Sequence, residues 1–191
     1  MRYDKGHKNE TRRHILDVAS AQFRESGIAA VGLAGIMSEA GLTNGAFYSH
    51  FASKEELVRE VLTDALTRRE ERHKANLKNG GALETMIRHY LSTRHRDRVG
   101  TGCPIAALVA EIARHPKPTR DAFTGKVADI IVLMTEQIRH GSAKDRRAKA
   151  ITIYATMVGA LQLARAVNDR KLSLDILENA VEAAIAIANE R

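Results

Sequence analysis

Residues 40–52 carry side chains suited to hydrogen bonding with nucleic acid. Asn44 can donate and accept in a bidentate pair with an adenine edge, and Ala46 is small enough to contact a thymine methyl group. Gly45 allows a close approach of the backbone. Tyr48 can donate its hydroxyl hydrogen to a phosphate oxygen. This segment therefore predicts contact with double-stranded DNA.

Two short helices joined by a tight turn would position these side chains. Gly41 follows an amphipathic segment, where glycine adopts a left-handed conformation at low cost. Thr43 is a suitable N-cap, because its hydroxyl can accept a hydrogen bond from a backbone N–H at the helix start. Phe47 and Phe51 are four residues apart and would share the buried face. The pattern is that of a helix-turn-helix, whose second helix enters the major groove.

The remaining sequence also predicts helices and no strands. Ser53 followed by Glu56 forms a capping box before an apolar run, and Gly80-Gly81 breaks the chain. Apolar spacing predicts about nine helices, at residues 9–26, 33–40, 44–50, 53–79, 82–95, 103–115, 119–140, 145–169 and 173–189. We expect an all-α fold with a three-helix DNA-binding domain at residues 1–52 and a helical regulatory and dimerisation domain at residues 53–191.

Composition and charge set the broad class of protein. The chain has 191 residues, of which 44% are hydrophobic and 28% charged, as in an ordinary globular protein. The net charge is +7, but residues 1–60 hold eight Lys/Arg against eight Asp/Glu, whereas residues 61–100 hold nine against five. The excess therefore supports only weak attraction to polyanions. A charged start, short apolar runs and one cysteine predict a cytoplasmic protein with no membrane span or intramolecular disulfide.

With the helices placed, the N-terminal stretch resembles the DNA-binding domain of TetR/AcrR-type transcriptional regulators over roughly residues 8–60. The resemblance rests on Ile15-Leu16-Asp17-Val18-Ala19, Phe23, Gly27, Ile36, Ala40-Gly41-Leu42, Phe47-Tyr48-Ser49-His50-Phe51 and Ser53-Lys54-Glu55-Glu56-Leu57. It implies a homodimeric repressor that releases its operator when a small molecule binds the C-terminal domain. The pattern departs from the family at Asn44, where Lys is common, and at Gly32 and Leu33, where a hydroxyl side chain often contacts phosphate.

Three sets of residues are predicted to carry this function. The DNA-contacting set is Gly32, Leu33, Thr43, Asn44, Gly45, Ala46, Tyr48, Ser49, His50 and Lys54. At the start of the second helix, the predicted contacts come from backbone N–H groups. An apolar pocket for an unidentified small-molecule effector is predicted from Met86, Tyr90, Cys103, Leu108, Ile112, Phe123, Val127, Ile130, Met134 and Met157. A homodimer interface on the last two helices is predicted from Tyr154, Val158, Leu161, Arg165, Val181, Ala184, Ile185 and Ala188.

Cys103 supports a narrower alternative. It precedes Pro104 at a predicted helix start, where a thiol can have a lowered pKa and react with electrophiles or oxidants. A buried, inert cysteine is the other interpretation. A thiol enzyme that pairs Cys103 with His115, and a constitutive DNA-binding protein without an effector, are further alternatives. No metal or cofactor site is predicted, because the eight histidines show no ligand spacing.

Overall fold

The computed structural model describes residues 5–78 and 82–190, in which all the regular secondary structure is helical. The predicted break at Gly80-Gly81 lies outside the described residues. In this part of the chain ten α-helices replace the predicted nine. Their bounds are α1 Lys5–Ser26, α2 Leu33–Glu39, α3 Asn44–Phe47, α4 Lys54–Lys78, α5 Leu83–Tyr90, α6 Thr93–Asp97, α7 Pro104–Ile112, α8 Lys117–Gln137, α9 Ala143–Ala166 and α10 Arg170–Asn189. A 3-10 turn, Val99–Thr101, lies between α6 and α7.

The first three helices enclose a small core of their own. Phe23 of α1, Met37 of α2 and Phe47 of α3 are all buried within it. Two glycines shape the chain around this core by adopting positive φ angles, +85° at Gly27 and +69° at Gly41. Both positions end a helix, as the sequence predicted, because a residue with a Cβ atom would be strained there.

The second core lies between the long C-terminal helices. α9 packs along α10 and also against α8, which in turn packs on α4. Its buried residues include Ile87, Met134, Met157, Leu161 and Ala184. Since α4 begins at the DNA-binding domain and packs on α8, one continuous helix connects the two cores.

Two predicted helix boundaries are wrong for the same physical reason. The predicted helix at 82–95 is divided into α5 and α6, because the Ser92 hydroxyl accepts a hydrogen bond from the His95 N–H and caps a new helix. α10 begins at Arg170, because the Asp169 carboxylate accepts the Lys171 and Leu172 N–H groups. The hydroxyl of Ser173, the predicted first residue of this helix, instead donates to the Ala164 carbonyl at 2.6 Å.

Hydrogen bonds far apart in sequence connect the two cores. The Arg24 Nε donates to the Gly100 carbonyl at 2.6 Å, which joins α1 to the 3-10 turn. The Ala29 N–H donates to the Glu111 carboxylate of α7 at 2.9 Å. A Cβ atom at Gly27 would lie 2.7 Å from that carboxylate, so the glycine makes room for this contact. The DNA-binding domain is therefore held against α7 and the 3-10 turn as well as by α4.

His95 holds α5, α6 and the start of α7 together. Its Nε2 accepts the Cys103 N–H at 2.9 Å, which requires a neutral ring with its hydrogen on Nδ1. That Nδ1 lies 2.6 Å from the Tyr90 carbonyl oxygen. Burial, opposed in part by the Tyr90 carbonyl and reinforced by Arg69, lowers the pKa of His95 to about 4.

This lowered pKa predicts a loss of stability in acid. Between about pH 6.5 and pH 4 the unfolded chain binds a proton at His95 and the folded chain does not. The free energy of unfolding therefore decreases as the pH is lowered through this range. We expect His95 to contribute about 2 kcal/mol of this fall, after allowance for its partial exposure. Chemical denaturation at pH 7 and pH 4 should show a smaller fall for His95→Gln than for wild type. The exposed His140→Gln is the control, and equal falls in both variants would contradict the assignment.

Candidate nucleic-acid interface

α3 presents its polar residues to solvent and its aromatic residue to the core. Phe47 is 1% exposed and stacks on Phe51, with 5.5 Å between the ring centroids. Asn44 and Gly45 are exposed, and a Cβ atom at Gly45 would have no atom within 4 Å. Tyr48 is 70% exposed, an unusual position for a large aromatic side chain. This surface is open to a flat or grooved partner.

Thr43 occupies the N-cap position of α3 with an extended backbone, but its side chain makes no capping hydrogen bond. The prediction that its hydroxyl caps the helix is therefore wrong. Since the residue is exposed, this hydroxyl is available to an external acceptor. Ser49, also exposed, donates its hydroxyl hydrogen to the Ala46 carbonyl at 2.7 Å.

His50 and Lys54 are half-buried, unlike the exposed polar residues Thr43, Asn44 and Ser49 of the predicted DNA-contacting set. The His50 Nδ1 is buried and has no hydrogen-bond partner among the described residues. Burial, together with the charges of Lys8 and Arg12, lowers the pKa of His50. Lys54 donates from Nζ to the Ile28 carbonyl at 2.7 Å, so it holds the loop before α2 against the start of α4.

The start of α2 offers backbone groups only. Gly32 is its N-cap residue and supplies no side-chain bond, and the first intrahelical hydrogen bond runs from the Ile36 N–H to the Gly32 carbonyl. The N–H groups of Leu33, Ala34 and Gly35 thus have no partner within the helix. The Leu33 side chain packs against the first core. These three N–H groups are therefore the hydrogen-bond donors that the N-terminus of α2 can offer to a partner.

Two of the basic residues near the N-terminus are used inside the fold. Arg12 pairs with Glu60 and lies over the Phe51 ring, 4.4 Å from its centroid. Arg13 pairs with Asp64 of α4 through a 2.5 Å contact. These arginines stabilise the packing of α1 on α4. Arg2, another basic residue near the N-terminus, lies outside the described residues.

Comparison with known families identifies this arrangement. Residues 15–61 match the family model of bacterial regulatory proteins of the tetR family, and residues 80–179 match the model of the tetracyclin repressor-like C-terminal domain. The chain belongs to the TetR family. TetR-family proteins are DNA-binding transcriptional regulators, so the exposed face of α3 belongs to a helix-turn-helix.

Individual relatives match a part of this chain. The regulator AcrR of Shigella flexneri is 43% identical over 60 residues, which are 31% of this chain and 28% of AcrR. The repressor KstR2 of Mycobacterium tuberculosis (strain CDC 1551 / Oshkosh) is 44% identical over 57 residues, 30% of this chain and 28% of KstR2. The matches thus span less than a third of these two relatives. The reduced form of E. coli NemR shares the fold, with a TM-score of 0.77 and 23% identity over 92% of this chain and 95% of that chain.

The residues predicted to line an apolar effector pocket in this TetR-family chain lie in two different cores. Leu108 and Ile112 pack in the first core beside the DNA-binding helices, apart from most of the predicted pocket set. The other eight belong to or pack against the second core, and Phe123 contacts both. Five surface cavities among the described residues are lined by none of the ten.

The predicted dimer set of the TetR-family chain is similarly divided. Tyr154, Leu161, Val181 and Ala184 are buried in the second core of the protomer itself. Arg165 donates to the Arg96 and His95 carbonyls, so it too serves the protomer. Val158, Ile185 and Ala188 are half-buried at the edge of the same core.

The structure does not bring Cys103 and His115 together, as the thiol-enzyme alternative requires. Cys103 precedes α7 and His115 follows it, and the nine residues of α7 alone are about 14 Å long. His115 Nδ1 lies 3.0 Å from the Glu55 carboxylate. In the described ranges no group of three His, Cys, Asp or Glu could hold a metal ion. No helix in residues 5–78 or 82–190 has the length and apolar character needed to cross a membrane.

Proposed function

We propose that this protein is a cytoplasmic repressor that binds a pseudo-palindromic operator as a homodimer and releases it when a small-molecule effector binds. The observation that carries the proposal is the open face of α3, with exposed Asn44, Gly45 and Tyr48 above a buried Phe47. One such short helix reads few base pairs. Two copies about 34–36 Å apart would read one half-site each in successive major grooves.

Selection of bound duplexes from a random DNA pool tests this function. We expect the recovered sequences to contain two half-sites related by a dyad. Binding to the selected operator should exceed binding to random DNA across a salt series, because phosphate contacts alone give no sequence preference. Equal affinity for both at every salt concentration would support a constitutive, non-specific DNA-binding protein instead.

The exposed side of α9 supports the dimer. Ile151 is 44% and Leu163 58% exposed, and Leu172 on α10 is 47% exposed. Between the first two, a Cβ atom at Gly159 would have no atom within 4 Å, so another helix can approach the backbone closely. Large exposed apolar side chains on one pair of helices are typical of a contact between protomers.

Leu163→Glu should weaken this dimer. A two-fold interface repeats the substitution, so two carboxylates would be brought into an apolar contact, and we expect the dimer dissociation constant to rise at least about tenfold. Light scattering after size-exclusion chromatography at several protein concentrations measures the change. Val132→Glu, on the exposed side of α8, is the matched control and should remain dimeric. A dimer unaffected by Leu163→Glu would place the interface elsewhere.

Effector release requires that the C-terminal domain bias the position of α3. The bonds from Arg24 to Gly100 and from Ala29 to Glu111 provide direct contacts between the domains, in addition to α4. A ligand that favours one arrangement of α4 and the 3-10 turn would shift the population of dimers whose α3 helices match successive grooves.

A second candidate function, sensing of electrophiles or oxidants, is favoured by the surroundings of Cys103. The thiol is fully buried at the N-cap of α7, beside the hydroxyls of Tyr90 and Tyr154. Burial alone would raise its pKa. The charge of Arg69, the Tyr90 hydroxyl and the Ala106 and Ile105 N–H groups outweigh burial, and the pKa of Cys103 is lowered. A thiolate is the reactive form of cysteine.

Alkylation with N-ethylmaleimide tests thiol sensing, because Cys103 is the one cysteine of the chain. If it senses electrophiles, modification confirmed by mass spectrometry should lower operator affinity about tenfold or more, and Cys103→Ser should bind DNA normally and be unaffected by the reagent. Retained DNA binding by the fully modified protein would make Cys103 a structural residue.

A further inference from the structure

A basic cleft of about 390 Å³ opens between α4, α5, α6 and the 3-10 turn. Four arginines and three histidines line it, with no carboxylate among the lining residues. They are Arg69, Arg72, His73, Asn76, His89, Arg94, His95, Arg98, Thr101 and Gly102. Eight of these ten residues lie within residues 61–100, the stretch with the largest excess of positive charge.

In the part of the chain that the structure describes, three arginines of α1 and α4 outside the cleft are paired with a carboxylate, whereas the arginines that line the cleft are not. Arg12, Arg13 and Arg68 each form a salt bridge with a carboxylate. Among the described residues, Arg69, Arg72, Arg94 and Arg98 form no salt bridge, although they line one cleft. Like charges held together without a counter-charge destabilise a fold. An anion bound among them would remove that cost.

The cleft has a recessed wall and an exposed rim. Arg69, His73 and His95 are half-buried, whereas Arg72, Arg94 and Arg98 are exposed. Arg69 is held in place over the Tyr90 ring, 5.1 Å from its centroid. Burial, with the charges of Arg69 and Arg72, lowers the pKa of His73 to about 4. At neutral pH the neutral His73 imidazole therefore offers a hydrogen bond while the arginines supply the charge, and both ring nitrogens of His95 are already used within the fold.

The cleft is too far from α3 to serve the same DNA contact. Arg72 lies 18 residues after Lys54 on α4, which places it about 27 Å away along the helix axis. Its volume suits a small organic molecule. Guanidinium groups bind carboxylates and phosphates through paired N–H donors, and several such groups together favour a ligand with more than one negative charge.

We propose that this cleft binds a small organic anion with two or more carboxylate or phosphate groups, and that this anion is the effector of the regulator. The second part rests on the proposed function. Arg98 and Thr101 line the cleft, and they flank Gly100, whose carbonyl accepts the hydrogen bond from Arg24 of α1. An anion held there contacts the 3-10 turn beside its bond to the DNA-binding domain.

Calorimetric titration of the full-length protein at constant ionic strength tests the site. The probes are citrate for carboxylates and pyrophosphate for phosphates, with acetate as the singly charged comparison. We expect saturable binding of at least one polyanion, and binding of acetate at least about tenfold weaker. The polyanion that binds identifies the acidic group. Absence of saturable binding for both citrate and pyrophosphate would overturn the proposal.

The double variant Arg72→Gln/Arg98→Gln should bind the polyanion at least about tenfold more weakly than wild type. Its melting temperature should be unchanged or higher, because two unpaired charges are removed. Arg94→Gln gives an independent single test on the same rim. Arg120→Gln, an exposed arginine of α8 outside the cleft, is the matched control and should bind like wild type. Equal binding by all four proteins would overturn the assignment of the site.

Operator binding with and without the polyanion tests the effector role. The ligand should weaken DNA binding by wild type and Arg120→Gln about tenfold or more, and leave the double variant nearly unaffected. If the protein binds both the anion and the operator but neither alters the other, the effector role is wrong and the site stands. If the protein binds no duplex, the proposed function fails, while the titration still decides whether the cleft binds anions.

Discussion

Asn44→Ala is expected to weaken binding to the selected operator by about 2–6 kcal/mol, since each subunit of the dimer would lose a base contact of about 1–3 kcal/mol. The side chain is exposed at the first residue of α3, and no hydrogen bond within the described residues depends on it. Alanine also favours helix. The free energy of unfolding should therefore stay within about 0.5 kcal/mol of wild type. Fluorescence anisotropy with labelled duplex measures the affinity.

Two controls separate a base contact from a general effect. Asn168→Ala, an exposed asparagine in the turn between α9 and α10, should bind the operator like wild type. On random DNA, Asn44→Ala and wild type should bind nearly equally, because that binding depends on phosphate contacts. A variant that binds operator as tightly as wild type would remove Asn44 from the recognition surface.

Phe47→Ala should destabilise the DNA-binding domain by about 3–5 kcal/mol, the usual cost of removing a buried phenyl ring. Phe47 is 1% exposed, stacks on Phe51 and has its ring edge against Tyr48, with 5.2 Å between those centroids. A four-residue helix has little stability of its own, so its position depends on this anchor. Operator binding should be lost together with the fold of the first core.

Hydrogen exchange localises this effect. In Phe47→Ala, backbone amides of α1 to α3 should exchange faster, while those of α9 and α10 change less. Phe47→Leu retains much of the buried volume and should lie between wild type and the alanine variant in both stability and operator affinity. A loss of stability below about 1 kcal/mol for Phe47→Ala would show that the ring is not an anchor of α3.

Local patterns in the sequence were sufficient for the DNA-binding domain. Apolar residues at helical spacing predicted the burial of Phe47 and Phe51, and the structure confirms it. The Ser53 cap is confirmed in one half: the Glu56 N–H donates to the Ser53 hydroxyl at 3.1 Å, but the Glu56 carboxylate accepts from Ala52. Such signals act over a few residues, so they can be read without knowledge of the tertiary structure.

The errors arise where one residue had competing partners. Ser173 and Asp169 are both suitable caps, and the choice depended on the Ala164 carbonyl of another helix, which takes the serine hydroxyl. The basic cleft was missed because its lining comes from three helices and a turn. Its one signal in the sequence was the excess of Lys/Arg over residues 61–100. The contact between Arg24 and Gly100 had no signal at all, because 76 residues separate the pair.

The unbroken length of α4 determines how much movement regulation requires. At 25 residues it is about 37 Å long, so tilting it by about 10° displaces one end by roughly 6 Å, half the width of a DNA major groove. Near the other end, where α4 lies between the cleft and α8, the same tilt would move the helix backbone by only about the breadth of a side chain. Because α4 is one continuous helix, a small movement near the cleft would become a larger displacement at the other end. That displacement would misalign the two α3 helices of the dimer with their half-sites.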